Sequence, residues 1–131
     1  MISRIDLRKI ARARLADSNI LFANGRYDGA VYLSGYAIEV ALKARICQTL
    51  KWSEFPASSK EFESYRSLRT HDLDVLLHLS GIENKIKTNH LTDWSIIATW
   101  DPQARYKSMS AVKRADASKM LGAVKRLLQV L

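Results

Sequence analysis

Residues Tyr27–Ile46 read YDGAVYLSGYAIEVALKARI, an apolar run with a carboxylate, Glu39, near its centre. Stepping 100° per residue puts Ala30, Leu33, Ala37, Val40, Ala41 and Ala44 along one face of a helix. Most of these side chains are small, so a neighbouring helix is expected to approach closely. Val31, Ile38, Leu42 and Ile46 form a second apolar face, and the remaining stripe carries Tyr32, Tyr36, Glu39 and Lys43. A helix apolar on two sides must be covered on two sides, which makes this stretch the expected centre of an all-α bundle. Glu39 stands one turn before Lys43, the order that favours an i,i+4 ion pair. Either the stripe is solvated and the pair contributes under ~1 kcal/mol, or it is covered by another helix or a second subunit. A covered carboxylate requires a cation, and Arg14, Lys43 and Arg105 are the candidates. Tyr32 and Tyr36 combine aromatic area with hydrogen-bonding tips. They favour the covered reading, with the stripe shaping the bundle or an interface.

Upstream, Ser3 to Asn24 reads as a first helix. Ser3 is a candidate N-cap, and Asn24-Gly25 is a stop signal. Leu7, Ile10, Ala11, Leu15, Ser18, Leu21 and Phe22 share one arc, Arg14 falls inside it, and Arg8, Lys9 and Arg12 point elsewhere. The connection NGRYDGA is short, so the second helix is expected to run antiparallel to the first, capped by Asp28 and ending near Leu50. From Trp52 to Thr70 the periodicity lapses, although Ser58 and Glu61 have capping-box spacing for a short helix through Tyr65. Thr70 is the expected cap of a helix from Asp72 to Ser80-Gly81. A further helix spans Ile82 to Thr99 with a break near Thr88-Asn89. The turn WDPQARY, Trp100 to Tyr106, precedes a last helix from Ser110 to about Val130. There Ala117, Leu121, Val124, Leu128 and Leu131 form a packing seam. No stretch calls for a strand. The expectation is a single domain over residues 1–131: an antiparallel up-and-down bundle of four main helices plus one or two short ones.

A chain of 131 residues can bury one such core. Its net charge of +8 favours RNA, DNA or an acidic protein as partner, with a merely solubilising basic surface as the plain alternative. Cys47 is the sole cysteine, which excludes an intrachain disulfide and a multi-cysteine zinc site. His78 and His90 are isolated and no His/Asp/Glu cluster has metal-ligand spacing, so neither a metal nor a cofactor is expected. The absence of a leader and of a long apolar run gives the expectation of a cytoplasmic protein with no membrane association.

Several segments in this order resemble one family. ARLADSNILFANGRYDGAVYLSGYAIEVALKA, then HDLDVLL, then WDPQARY and a final amphipathic helix, are similar to the HEPN domain family. The likeness runs from about Ala11 to the last residue and is densest in the first helical hairpin. It implies a small helical bundle that commonly dimerises. Family members are often encoded with a minimal nucleotidyltransferase as a toxin–antitoxin pair, or serve as nucleotide- or RNA-binding modules. Many are metal-independent ribonucleases whose Arg and His, four to six residues apart near the start of a late helix, meet the same pair from a second subunit.

In this chain the late Arg105 is followed by YKSMSA, with no His in reach. The spacing is met instead by Arg66 and His71, in RSLRTH, at the mouth of the third helix. The chemistry suits those residue types. Metal-free RNA cleavage needs a base for the 2′-hydroxyl proton, a role for His71, and a cation for the developing phosphorane charge, a role for Arg66 or Arg69. The alternative is that the His71 ring caps or packs locally. Arg105 and Tyr106 offer a guanidinium and a phenol to a phosphate or base, or else close the bundle's end with Trp100 and Pro102. Arg8 and Arg12 of the first helix would hold the polyanion. Three functions stay open. The first is a toxin–antitoxin or defence protein that acts on RNA, as a homodimer, by ribonuclease chemistry. The second is a non-catalytic nucleotide-binding or interaction module partnering a nucleotidyltransferase. The third is a basic bundle that binds nucleic acid without chemistry.

Overall fold

Helix boundaries follow local hydrogen-bond chemistry. In the computed structural model, which describes residues 1–103 and 111–131, the Ser3 hydroxyl accepts the Asp6 N–H at 3.0 Å and starts α1, Arg4–Ala23. Asn24 and Gly25, the latter at φ +73°, end it as expected. The second helix, α2, spans Tyr27–Leu50. Its N-cap is Arg26 rather than Asp28, with no side-chain bond. Asp28 instead accepts the Val112 N–H at 2.8 Å, fastening the start of α2 to the approach of the last helix.

The expectation of no strand is corrected. Ile2–Ser3 (β1) pairs antiparallel with Glu54–Phe55 (β2), Ile2 facing Phe55. Two-residue strands have no periodicity to betray them. Farther along, Ser58 and Glu61 form the expected reciprocal box. The Ser58 hydroxyl accepts the Glu61 N–H, and the Glu61 carboxylate accepts the N–H groups of Ala57 and Ser58. The helix it starts is only a 3₁₀ turn, Glu61–Ser64, followed by another at Arg66–Leu68.

Asp72, not Thr70, caps α3 (Leu73–Leu79), its carboxylate accepting from the N–H groups of Asp74 and Val75. Thr70 sits one step back and accepts the Asp72 N–H. The expected helix over Ile82–Thr99 is two: α4 (Glu83–Asn89) and α5 (Leu91–Ile97), broken at His90, next to the anticipated break. The last helix, α6, is Arg114–Leu128, starting later than Ser110 because residues 111–113 are not helical. The all-α bundle class holds. Among the described residues it has three long helices, α1, α2 and α6, and three short ones, α3, α4 and α5, instead of four main helices with one or two short ones.

The core is organised around α2, which touches α1, α3, α6 and β2. Each residue from Ala37 to Leu42 is buried, and Ile38, Leu42 and Ile46 have no exposed surface. Burial of each such side chain contributes about 1.5–3 kcal/mol. The small face works as expected, with Ala30, Ala37, Ala41 and Ala44 at 0–3% exposure. On α6 the buried stripe is wider than the seam, adding Met120, Ala123 and Leu127. Arg126 grips Asp93 through paired bonds of 2.8–3.0 Å and ties α6 to α5.

The hydrogen bond from the Ala57 N–H is the main cause holding the Glu61 carboxyl below its ordinary range. A depressed folded-state pKa means this anchoring is present above the unfolded value and is lost as pH falls through the folded one. The Ala57 amide resonance is therefore expected to titrate with a midpoint below the ordinary glutamate value, and to show no such titration in Glu61→Gln.

Candidate functional site

Glu39 is 2% exposed at the middle of α2, so both carboxylate oxygens need partners from the protein. Oε2 accepts from the Lys43 ammonium at 3.1 Å. Oε1 lies 3.0 Å from His71 Nδ1. The Lys43 ammonium also sits 5.7 Å from the centroid of the buried Phe55 ring, a cation–π contact. Glu39 is therefore covered, in part by this chain's own later segments, while Tyr32, Tyr36 and Lys43 of the same stripe stay partly exposed. Of the candidate cations, Lys43 is the partner. Arg14 pairs with Asp17 at 3.5 Å instead, and Arg105 lies outside the described residues.

His71 reaches Glu39 because Asp72 fixes the first turn of α3 while Leu73, Leu76 and Leu77 are buried in the core. That seats the residue before the cap over the polar stripe of α2. An ionised carboxylate only accepts hydrogen bonds, so the Nδ1 facing it carries the proton. In the neutral ring, Nε2 then bears the lone pair. The His71 side chain is 69% exposed, which leaves Nε2 available to an incoming group.

Beside the imidazole lies a cleft of about 450 Å³, lined by His71, Asp72, Leu73, Asp74, Ala98, Trp100, Asp101 and Pro102. Its acidic residues each have one oxygen engaged: Asp72 in the α3 cap, Asp74 by the Trp94 indole N–H at 3.1 Å, and Asp101 by the Gln103 N–H at 2.9 Å. Among the described lining residues three are acidic and none is a Lys or Arg. Its Trp100 wall is set by Gly35. A Cβ on that residue would come within 2.2 Å of the indole ring. Tyr32 flanks the same ring at a centroid distance of 6.1 Å.

The other residues singled out by sequence are dispersed. Arg66 is exposed in its 3₁₀ turn and makes no hydrogen bond or ion pair with a described residue. Arg69 donates to the Ser59 hydroxyl at 3.3 Å. The structure joins His71 to Glu39, not to Arg66, and His71 neither caps nor packs only locally. Tyr36 is half-buried against the core. Arg8 lies at the far end of α2, bonded to Gln48 and to the main-chain oxygen of Leu131, and Arg12 is exposed. Tyr106, like Arg105, is outside the described residues. Among the described residues, no three His, Cys, Asp or Glu side chains cluster as a metal site. Sequence reasoning missed the seat of Trp100 on Gly35. Its available signal was a glycine in the interior of a strongly apolar helix. The Asp74–Trp94 bond, twenty residues apart, had none.

A family model for the HEPN domain matches residues 5–131, essentially the whole chain. The chain belongs to the HEPN domain family. HEPN proteins are associated with ribonuclease and nucleotide-related activity and with defence and toxin systems, and they commonly dimerise. No curated protein and no solved structure matches this HEPN chain. No described helix is long and apolar enough to cross a membrane.

Three stability outcomes follow from this geometry. Gly35→Ala is expected to cost about 1–3 kcal/mol by driving a methyl into the indole, visible as a lower melting temperature and partly reversed by adding Trp100→Phe. Glu39→Gln is expected to cost about 1–3 kcal/mol, because Lys43 loses its charged partner in a half-buried place. His71→Ala, at an exposed position, should cost clearly less in the same denaturant titration.

Proposed function

We propose that this HEPN protein acts on RNA in a toxin–antitoxin or defence system, with His71 as general base of a metal-independent cleavage and Glu39 as its positioning residue. The observation that carries the reading is the 3.0 Å contact between Glu39 Oε1 and His71 Nδ1. An exposed imidazole held from behind by a buried carboxylate is preset in orientation and tautomer to receive a proton at Nε2. In the cleavage, Nε2 takes the proton of a ribose 2′-hydroxyl and the freed oxygen attacks the adjacent phosphorus. The bond from phosphorus to the 5′-oxygen breaks, and that oxygen is protonated as it leaves. The products are a 2′,3′-cyclic phosphate and a 5′-hydroxyl end. Arg66 and Arg69, on the segment leading into His71, are the cations assigned to the phosphorane charge. Arg105 and Tyr106 are assigned to holding the phosphate or base. The proposal includes a cytoplasmic homodimer, residues 1–131 acting as one HEPN unit, and a minimal nucleotidyltransferase as the partner.

A second reading has its own support. Asp72, Asp74 and Asp101 around the cleft repel phosphates, and Arg66 makes no bond to His71. These features support the non-catalytic alternative, a nucleotide-binding or interaction module partnering the nucleotidyltransferase, chiefly in its interaction form, since a nucleotide's phosphates meet the same carboxylates. A cleavage assay on single-stranded RNA in the presence of a chelator separates the two. The catalytic reading expects product, reduced at least ~10²-fold by His71→Ala. Glu39→Gln should also be impaired below its melting temperature, because an amide N–H facing Nδ1 moves the ring proton to Nε2. RNA left intact by the native protein, with a nucleotidyltransferase co-purifying or a nucleotide binding in calorimetry, selects the second reading.

A further inference from the structure

A concentrated group of cations lies on the far side of α2 from His71. Arg4, Arg8 and Arg12 follow one another at i,i+4 spacing on α1, about 6 Å apart along the axis and about 12 Å end to end. Two bonds fix where this row sits. The Arg4 N–H donates to the Ser53 carbonyl at 2.8 Å, and the Arg8 guanidinium donates to Gln48 Oε1 at 2.9 Å. Arg45 of α2 lies near enough to Arg8 for their charges to interact. The buried Nε of Arg45 has no hydrogen-bond partner among the described residues. No Asp or Glu side chain among the described residues forms an ion pair with any of the four. Arg8 is destabilised as a cation, first by burial and then by repulsion from Arg45, Arg4 and Arg12. The molecule therefore assembles four guanidiniums of which Arg8 alone has side-chain hydrogen bonds among the described residues, to the neutral Gln48 amide and the main-chain oxygen of Leu131, and none of the four pairs with an Asp or Glu side chain there. Gln48 is nine residues after Glu39, half a revolution around α2 and about 14 Å along it. The row is thus a separate surface from the cleft beside His71.

We propose that Arg4, Arg8, Arg12 and Arg45 form a binding surface for the phosphate backbone of a single nucleic-acid strand. Guanidiniums suit phosphates because their planar fork donates two bonds to two oxygens. A regular row of them matches a regular row of anions better than it matches the irregular carboxylates of an acidic protein. A membrane surface would require a broad apolar face beside the charges. Of the large apolar residues on this first part of α1, only Ile5 is strongly exposed. The inference goes beyond the His71 chemistry and does not rest on it.

The test is fluorescence anisotropy with a labelled deoxythymidine oligomer, which lacks the 2′-hydroxyl and so cannot be cut by the proposed cleavage. Engagement of three or four phosphates predicts a slope of log affinity against log salt of about −2 to −3. Arg4→Gln with Arg12→Gln removes two contacts without touching Arg8, which helps to hold the bundle together. This double variant should melt as the native protein does, lose about 1.4 from the slope's magnitude, and bind more than ~10-fold more weakly at low salt. Lys85→Gln, an exposed cation on α4, is expected to bind like the native protein. The proposal is overturned if the native protein ignores the strand, or if the double variant keeps its affinity and slope. Tighter binding to oligoglutamate or to anionic phospholipid vesicles than to the strand overturns it as well. Strand binding with RNA left uncut would remove the His71 mechanism and support this surface, and RNA cleavage without strand binding would do the reverse.

Discussion

A carboxylate with almost no solvent exposure, in the middle of a helix enclosed by its neighbours, is the constraint around which this molecule is arranged. An isolated charge in that position would be severely destabilising, and Glu39 is tolerated because a cation and an imidazole each reach one of its oxygens. Lys43 comes from the same helix and is supplied by spacing alone. His71 comes from a remote segment, and its arrival depends on the cap of α3 and on three leucines of that helix buried in the core. The polar contact and the apolar packing therefore specify the same docking of α3 on α2. That agreement between levels is what gives the docking a single register.

Much of the bundle could be read from residue spacing. The two apolar faces of α2, the Ser3 cap and the Asn24-Gly25 stop all involve neighbours within a turn or two, where periodicity and propensity speak directly. The coverage of Glu39 was legible for the same reason, since a carboxylate flanked by two tyrosines on a doubly apolar helix has few solvated arrangements. What could not be read depends on contacts between distant segments. Asp28 looked like a cap and is used as an acceptor for Val112, eighty-four residues away. The small ladder of Ile2 with Phe55 is too short to leave a pattern. For the candidate site, His71 was found through a spacing to Arg66, whereas its physical partner is Glu39. The residue was legible and the reason for it was not.

The distribution of charge divides the molecule more sharply than its net value of +8 suggests. Carboxylates gather around the cleft beside His71, while the guanidiniums of Arg4, Arg8, Arg12 and Arg45 gather across α2. Among the described residues, the two sides of α2 thus differ in the sign of the charge they present. Family membership alone would not distinguish these sides, because it describes the fold that carries them.

The indole of Trp100 resting on Gly35 has a mechanical meaning. Glycine within a helix gives up about 0.5–1 kcal/mol relative to alanine, and here it opens a notch in the backbone into which a large flat ring descends. A wall keyed into main chain has no rotamer on its receiving side to relax, so its position is inherited from the helix as a rigid body. The segment that runs past Trp100 to Gln103 is thereby registered against α2 at the level of the polypeptide itself, and the width of the cleft is governed by how α2 lies in the bundle.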